Sequence, residues 1–270
     1  MKITTLTDNL VYKNSLCAEH GLSLYIELED NIILFDTGQS DIFYNNSKIL
    51  GKDISKVNHL IISHGHYDHT GGIDTFLEQN YIANIYLMHT SLNPKYNGKR
   101  YIGIKKSIIN KLSNCSRVIE PDSNIHKIDN NIYLINSITR RYPTEVSNSL
   151  LTEIDGKMIK DPFIDEQFMI IKRDNGVVVI TGCSHNGILN ILEETKALFN
   201  LPIYALIGGI HTKDASNEYI NSIIEYLKGE KIKLLELSHC TGIEPYFIIK
   251  SNIGDSCQYN LVGKDINIDI

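Results

Sequence analysis

Six consecutive positions, 64 to 69, hold three histidines and one aspartate: His64, His66, Asp68 and His69, with Gly65 and Tyr67 between them. The run follows HLIIS at 59 to 63, which has the length and apolar character of a strand, and it passes into Thr70, Gly71 and Gly72. Imidazole and carboxylate together suit zinc, iron or manganese, and bonds of about 2.0 to 2.2 Å force such donors to converge. A tight loop at a strand end achieves this, and Gly65 with the Gly71, Gly72 pair permits the close turns it needs. A catalytic metal keeps about three protein ligands and an open position, so four clustered donors divide between two metals once others arrive from elsewhere. The rest of the chain has to deliver those others.

Short apolar runs recur along the sequence, with LSLYIEL at 22 to 28, NIILF at 31 to 35, NIYLM at 84 to 88 and NIYLI at 131 to 135. FMIIK at 168 to 172, VVVIT at 177 to 181, IYALI at 203 to 207 and KLLEL at 233 to 237 continue the series, each of strand length. Two stretches have helical periodicity: Gly187 to Phe199, with Ile188, Ile191, Leu192, Thr195 and Leu198 on one face, and Ala215 to Lys228, with Ile220, Ile223, Ile224 and Leu227. The class is α/β. Strands before 60 and after 130 are not regularly separated by helices, so mixed sheets are expected, most simply two with helices outside. The 270 residues are read as a single domain, 1 to 270, with loop-rich insertions near 93–127 and 139–167.

Composition narrows the function classes. No apolar run approaches the roughly 20 residues that span a bilayer, and the amino terminus lacks the apolar core of a signal peptide, so a cytoplasmic protein with no membrane partner is expected. Cys17, Cys115, Cys183, Cys240 and Cys257 are spread without a CxxC pair and read as reduced thiols. The net charge of −6 offers no broad basic footprint, so nucleic acid is not an expected partner. Lys99–Arg100, Lys105–Lys106 and Arg140–Arg141 are short basic clusters of the kind a solvated surface carries.

HGHYDH resembles the HxHxDH signature of the metallo-β-lactamase superfamily, and LFDTG at 34 to 38 is similar to that superfamily's early strand and turn. Four further stretches, AEHGLS at 18 to 23, TGCSHNGILNI at 181 to 191, IGGIHT at 207 to 212 and SHCTG at 238 to 242, narrow the resemblance. They look like the branch of metal-dependent hydrolases related to dihydropterin methyl ribofuranosylaminobenzene phosphate synthase. The resemblance implies an αββα sandwich with metals at one edge of its two sheets. It assigns His64 and His66 to one metal, and Asp68 and His69 to another. The third ligand of the first metal usually comes from a glycine-histidine segment, but 132 to 145 holds no histidine, and His185 is the best replacement. Where the superfamily places a bridging aspartate, Thr181 and Gly182 are followed by Cys183, either a thiolate ligand or a buried small residue. His211 is favoured for the late position, with His239 a ligand, an acid or a substrate contact. Asp36 could hold the second nitrogen of a ligating imidazole or merely cap its turn.

The cofactors expected are two divalent metal ions, zinc first, with manganese or iron as alternatives. The expected activity is hydrolysis of a phosphoester or another small ester-like substrate by a metal-bound hydroxide, with Asp68 and His239 as the catalytic candidates. The partner is then a small anionic molecule, with His20, Arg140, Arg141 and Lys213 as weak substrate candidates. The sequence does not bear on oligomeric state. The resemblance also implies an alternative, in which diphosphate leaves and a pterin methyl carbon is transferred to an aromatic acceptor. A non-catalytic binding protein on a degenerate scaffold and a nuclease are further readings; retention of HGHYDH argues against the first and the acidic balance against the second. His59, His89 and His126 are read as structural or surface residues.

Overall fold

A computed structural model describes residues 1–269. The strands are β1 (Lys2–Thr7), β2 (Ser23–Glu27), β3 (Ile32–Phe35), β4 (His59–Ile61), β5 (Asn84–Tyr86), β6 (Lys95–Asn97), β7 (Arg100–Tyr101), β8 (Val118–Ile119) and β9 (Ile125–Asp129). They continue with β10 (Ile132–Ile135), β11 (Leu150–Ile154), β12 (Lys157–Lys160), β13 (Phe168–Arg173), β14 (Gly176–Thr181), β15 (Ile203–Gly208), β16 (Leu234–Leu237), β17 (Cys257–Tyr259) and β18 (Asp265–Asn267). The helices are α1 (Ile42–Ile49), α2 (Tyr67–Thr70), α3 (Ile73–Gln79), α4 (Lys106–Ser113), α5 (Ile188–Phe199), α6 (Asn217–Glu230) and α7 (Ile243–Ile253). Among the described residues, no helix is long and apolar enough to cross a membrane.

The chain divides into two compact units. The first comprises 1–121, 148–165 and 261–269. Its main sheet has the order β18-β1-β2-β3-β4-β5-β8, antiparallel as far as β3 and parallel from β3 to β8. Leu34, Leu60 and Ile85 from this sheet join Phe43 of α1, Ile73 and Phe76 of α3, and Ile108 and Leu112 of α4 in one buried cluster. Full burial of side chains this size stabilises by about 1.5 to 3 kcal/mol each. A second sheet of this unit, β12-β11-β6-β7, is antiparallel.

The second unit comprises 122–147 and 166–260. Its sheet has the order β17-β16-β15-β14-β13-β10-β9, parallel from β17 to β14 and antiparallel beyond. Helices α5, α6 and α7 connect β14, β15, β16 and β17 in succession, so this half is built from βαβ crossovers. Every residue of β14 is buried, which explains why GVVVIT is an unbroken apolar run rather than an alternating one. Ile188, Ile191 and Leu192 of α5 and Ile220, Ile223 and Leu227 of α6 pack with Val177, Val179 and Leu206 in one core. Ser216 starts α6 by accepting a hydrogen bond from the Tyr219 amide at 3.1 Å.

Both main sheets are mixed, as the sequence suggests, and a small third sheet accompanies them. The stretch 93–127 supplies β6 to β8, α4 and the start of β9, and 139–167 supplies β11 and β12 between longer loops. The β12-β11-β6-β7 strands are two to five residues long and largely polar, so their order comes from pairing between distant segments, to which local periodicity is blind.

Candidate metal centre

In the first unit the donors lie just past the C-terminal end of β4. Residues 64 to 66 cross from the strand to the short α2, which carries Asp68 and His69. His64, His66, Asp68 and His69 are all buried, at 0, 6, 6 and 0 % exposure. His64 Nε2 stands 3.0 Å from His66 Nδ1. Two nitrogens bound tetrahedrally at about 2.0 to 2.1 Å would be about 3.3 Å apart, so this spacing already suits a shared ion. Burial pushes His66 down to about 3, against the opposing pull of the Asp68 carboxylate, so its imidazole is neutral, the form a metal requires.

The neighbouring β3 ends in Asp36, held at a φ of +58°. Asp36 Oδ2 lies 2.6 Å from His69 Nδ1 and accepts from Ser63 Oγ at 2.7 Å, while Oδ1 accepts from the Ser63 amide at 2.7 Å. Ser63 Oγ in turn lies 3.0 Å from His64 Nδ1. One buried carboxylate thus fixes His69 directly and His64 through a hydroxyl, turning the Nε2 atom of each ring outward as metal ligation needs. The loop after β3 also grips α2, since the Thr37 amide donates to the His69 carbonyl at 2.8 Å. Gly71 is required here, because a Cβ at that position would meet the Gln39 carbonyl oxygen at 2.1 Å.

A second support is a buried ionic cluster absent from the sequence reading. Lys95 Nζ lies 2.8 Å from Asp161 Oδ2 and 2.9 Å from Asp165 Oδ1, and all three side chains are within about 2 % of full burial. The other oxygen of Asp165 accepts from the Gly65 amide at 2.8 Å, which ties the cluster to the loop between His64 and His66. Phe163, between the two aspartates, packs its ring nearly perpendicular to that of His66, with centroids 6.1 Å apart. Burial works against the Lys95 cation, but Asp165 and Asp161 outweigh it and hold the ammonium above its usual range.

In the second unit the loops after β14, β15 and β16 carry Cys183 and His185, His211, and His239 and Cys240 respectively. Cys183 Sγ is within 4.8 Å of a ring nitrogen on each of His185, His211 and His239, and of Cys240 Sγ. The rings of His185 and His211 are 4.3 Å apart. Ser184, His211 and His239 all have positive φ, at 61°, 50° and 51°. Such backbone costs of order 1 kcal/mol or more per residue and collects at functional sites. The loops hold one another in place. Ser184 Oγ donates to the Gly209 carbonyl at 2.7 Å, and the Ser238 amide to the Gly208 carbonyl at 3.1 Å. Gly208, at φ 124°, leaves no room for a Cβ, which would sit 2.0 Å from the Thr181 carbonyl oxygen.

Glu166, 3 % exposed, has the role here that Asp165 has in the first unit. Its oxygens accept from the His185 amide at 2.5 Å and from the Asn186 amide at 2.7 Å. Burial alone would push the Cys240 thiol up, but hydrogen bonding to Cys183 and His211 and the nearby His239 and His211 charges hold it well below the usual thiol range.

Among the weaker candidates, His20 is exposed and its Nε2 lies 3.0 Å from Asp68 Oδ2. Arg140 donates through Nε and Nη2 to Asn186 Oδ1 at 2.9 and 2.7 Å, Arg141 pairs with Glu194 at 2.9 Å, and Lys213 is exposed. His59 sits beside Asn31 at 3.2 Å and His126 beside Asp122 at 3.3 Å, both away from the donor loops. The sequence reading missed Ser63, Lys95, Asp161, Asp165, Glu166 and Cys240. Two signals were available: Cys240 directly follows His239 in SHCTG, and DPFIDE at 161 to 166 packs three carboxylates into a stretch read as loop.

The donors of both units, imidazole, carboxylate and thiol, fit a divalent transition metal. A profile described as the metallo-beta-lactamase superfamily matches residues 18–199. An uncharacterized protein of Methanocaldococcus jannaschii is 34% identical over 270 residues, covering 98% of this chain and 100% of its own. From the same organism, 7,8-dihydropterin-6-methyl-4-(beta-D-ribofuranosyl)-aminobenzene-5'-phosphate synthase is 28% identical over 263 residues, covering 90% and 88%. The crystal structure of Tm1679, described as a metal-dependent hydrolase of the beta-lactamase superfamily, superposes with a TM-score of 0.87 at 31% identity, covering 100% of both chains. With the fold, the HGHYDH loop and these relatives in agreement, the chain belongs to the metallo-β-lactamase superfamily.

Proposed function

We propose that the protein is a hydrolase dependent on two divalent metal ions, zinc in the first instance, that acts on a phosphoester or another small, anionic, ester-like substrate. The observation that carries this reading is the buried set His64, His66, Asp68 and His69, with His66 neutral and His69 oriented by Asp36. In the second unit, His185 and His211 are the first choices as metal donors and Cys183 and His239 the further ones. Bound divalent metal supplies Lewis acidity and an activated water. The chain's own residues keep the imidazoles neutral, set their tautomers and exclude bulk water from the donors. His20, 3.0 Å from Asp68, is placed to meet a substrate on the exposed side of that carboxylate.

Incubation of metal-depleted protein with bis(p-nitrophenyl) phosphate and p-nitrophenyl esters, with zinc, manganese or iron added back, tests this directly. Turnover restored by about two equivalents of metal and abolished in Asp68→Ala supports it. Two bound equivalents without turnover on any ester, or an unchanged rate in Asp68→Ala, would overturn it. A second reading, synthesis rather than hydrolysis, is favoured by the relative named as a dihydropterin aminobenzene phosphate synthase. Release of diphosphate from a dihydropterin methyl diphosphate only when an aminobenzene acceptor is present would select it.

A further inference from the structure

We propose that the ion held through His211 is sulfur-ligated: Cys183, His211 and Cys240 form a metal site that takes zinc or ferrous iron in preference to manganese or magnesium. This deepens the metal-dependent reading by naming the donor class, and it rests on that reading only in taking His211 as a ligand. The ligand atoms of the three residues all lie within 4.8 Å of one another. Bonds of about 2.3 Å to sulfur and 2.0 to 2.1 Å to nitrogen place tetrahedral donors about 3.5 to 3.8 Å apart, so loading the site needs a contraction of no more than about 1.3 Å.

The placement is set by the sheet. β14, β15 and β16 are adjacent and parallel, and each contributes one donor from the loop at its C-terminal end. Space for the second thiol is made by Gly209, where a Cβ would stand 2.5 Å from Cys240 Sγ. The Ile210 amide bonds to Thr241 Oγ1 at 3.3 Å and the Lys213 amide to the Cys240 carbonyl at 3.2 Å, so the His211 and Cys240 loops are tied on both sides of the donors.

Two small apolar fillers would bury cysteines as well, but two further features point to ligation. His211 is held at φ 50° with a ring nitrogen within 4.8 Å of both thiols, and left-handed backbone of this kind collects at functional sites. Two thiolates and a divalent ion sum to zero charge, so the loaded site can stay buried at 3 and 6 % thiol exposure without an uncompensated ion. Soft sulfur donors favour zinc and iron over the oxygen-seeking manganese and magnesium. Three protein donors also leave one position open.

The test is titration of the reduced, metal-depleted full chain with cobalt(II), in a Cys17→Ser background because Cys17 is exposed. The expected result is a near-ultraviolet sulfur-to-cobalt charge-transfer band that saturates at one equivalent. Cys240→Ser should lose about half its intensity and bind cobalt at least about 10-fold more weakly. Bound cobalt without the band, or an undiminished band in Cys240→Ser, would overturn the proposal. Should the variant fail to fold, the cadmium-113 resonance of the parent chain decides: a signal in the range of two-sulfur sites supports the assignment, and nitrogen- and oxygen-type signals alone refute it. Phosphodiesterase assays on the same samples separate the two readings. An inactive chain that shows the band contradicts hydrolysis only, and an active chain without it contradicts the sulfur site only.

Discussion

Replacing Lys95 with Met should be among the most damaging single changes outside the metal ligands. The ammonium sits 2.8 Å from Asp161 and 2.9 Å from Asp165, with all three side chains essentially excluded from water. Removing one partner of a buried ion pair costs about 3 to 5 kcal/mol, because the remaining charge stays buried without compensation. Here two carboxylates are stranded together, which argues for the upper part of that range, against a typical total stability of about 5 to 15 kcal/mol. The sign with pH follows. Burial already pushes the Asp161 carboxyl up, with Lys95 opposing it, so loss of the cation raises its folded value further above the unfolded one. A carboxyl with a raised folded value favours the folded state when protonated, so the deficit should be larger at pH 7 than at pH 5. Urea unfolding of metal-free wild type and Lys95→Met at both values measures it. Zinc affinity should fall about 10- to 100-fold, because Asp165 also anchors the Gly65 amide between His64 and His66. A triple variant, Lys95→Met with Asp161→Leu and Asp165→Asn, should recover much of the stability, since an apolar replacement of the whole cluster strands no charge. A deficit below about 1 kcal/mol that does not change with pH would refute the reasoning.

Asp36→Asn should keep one acceptor for Ser63 but lose the carboxylate on His69, lowering zinc affinity about 10- to 100-fold with little change in urea midpoint; equilibrium dialysis with zinc checks it. Glu166→Gln leaves one carbonyl oxygen for the His185 and Asn186 amides, so one buried donor faces an amide NH₂, and a loss of about 1 to 3 kcal/mol is expected in urea unfolding. Because the folded value of His66 lies near 3, below its unfolded value, metal-free protein should lose stability as pH falls below about 6.5 and continue losing it to about 3; His66→Gln should flatten that slope in thermal melts.

The candidate donor loops are legible in the sequence because groups able to ligate metal belong to a small chemical vocabulary. HGHYDH, TGCSH, GGIH and SHCTG all fall at strand ends, and the apolar runs that precede them lie on β4, β14, β15 and β16. Strand β1 and the edge strands β17 and β18 were not legible. β1, KITTLT, buries three threonines, and polar β-branched residues give no apolar alternation to read. Helices α1 and α4 fail for a related reason: each buries only two or three side chains on one turn-spaced stripe and is polar elsewhere. Lys95 was invisible because its partners lie in 161–165, and a lone lysine in a polar stretch reads as surface until the carboxylates that surround it are known.

What the sequence motifs leave out, in each unit, is the buried acids that lie outside the candidate donor set. Asp36 fixes a ring, Asp165 the Gly65 amide, and Glu166 the His185 and Asn186 amides. Each is a buried acceptor for groups that regular secondary structure leaves unserved, since the donor loops lie just beyond the strand ends where ladder hydrogen bonding stops. A loop fixed in this way can hold strained residues such as His211 and His239, because the cost of their backbone is met by bonds made elsewhere in the same loop system. The consequence is a separation of roles. Changing a ligand removes a donor from an otherwise ordered loop, while changing an anchoring acid leaves every donor present but imprecisely placed. Ligand variants should therefore lose metal stoichiometry, whereas anchor variants should keep it at saturating metal and lose affinity.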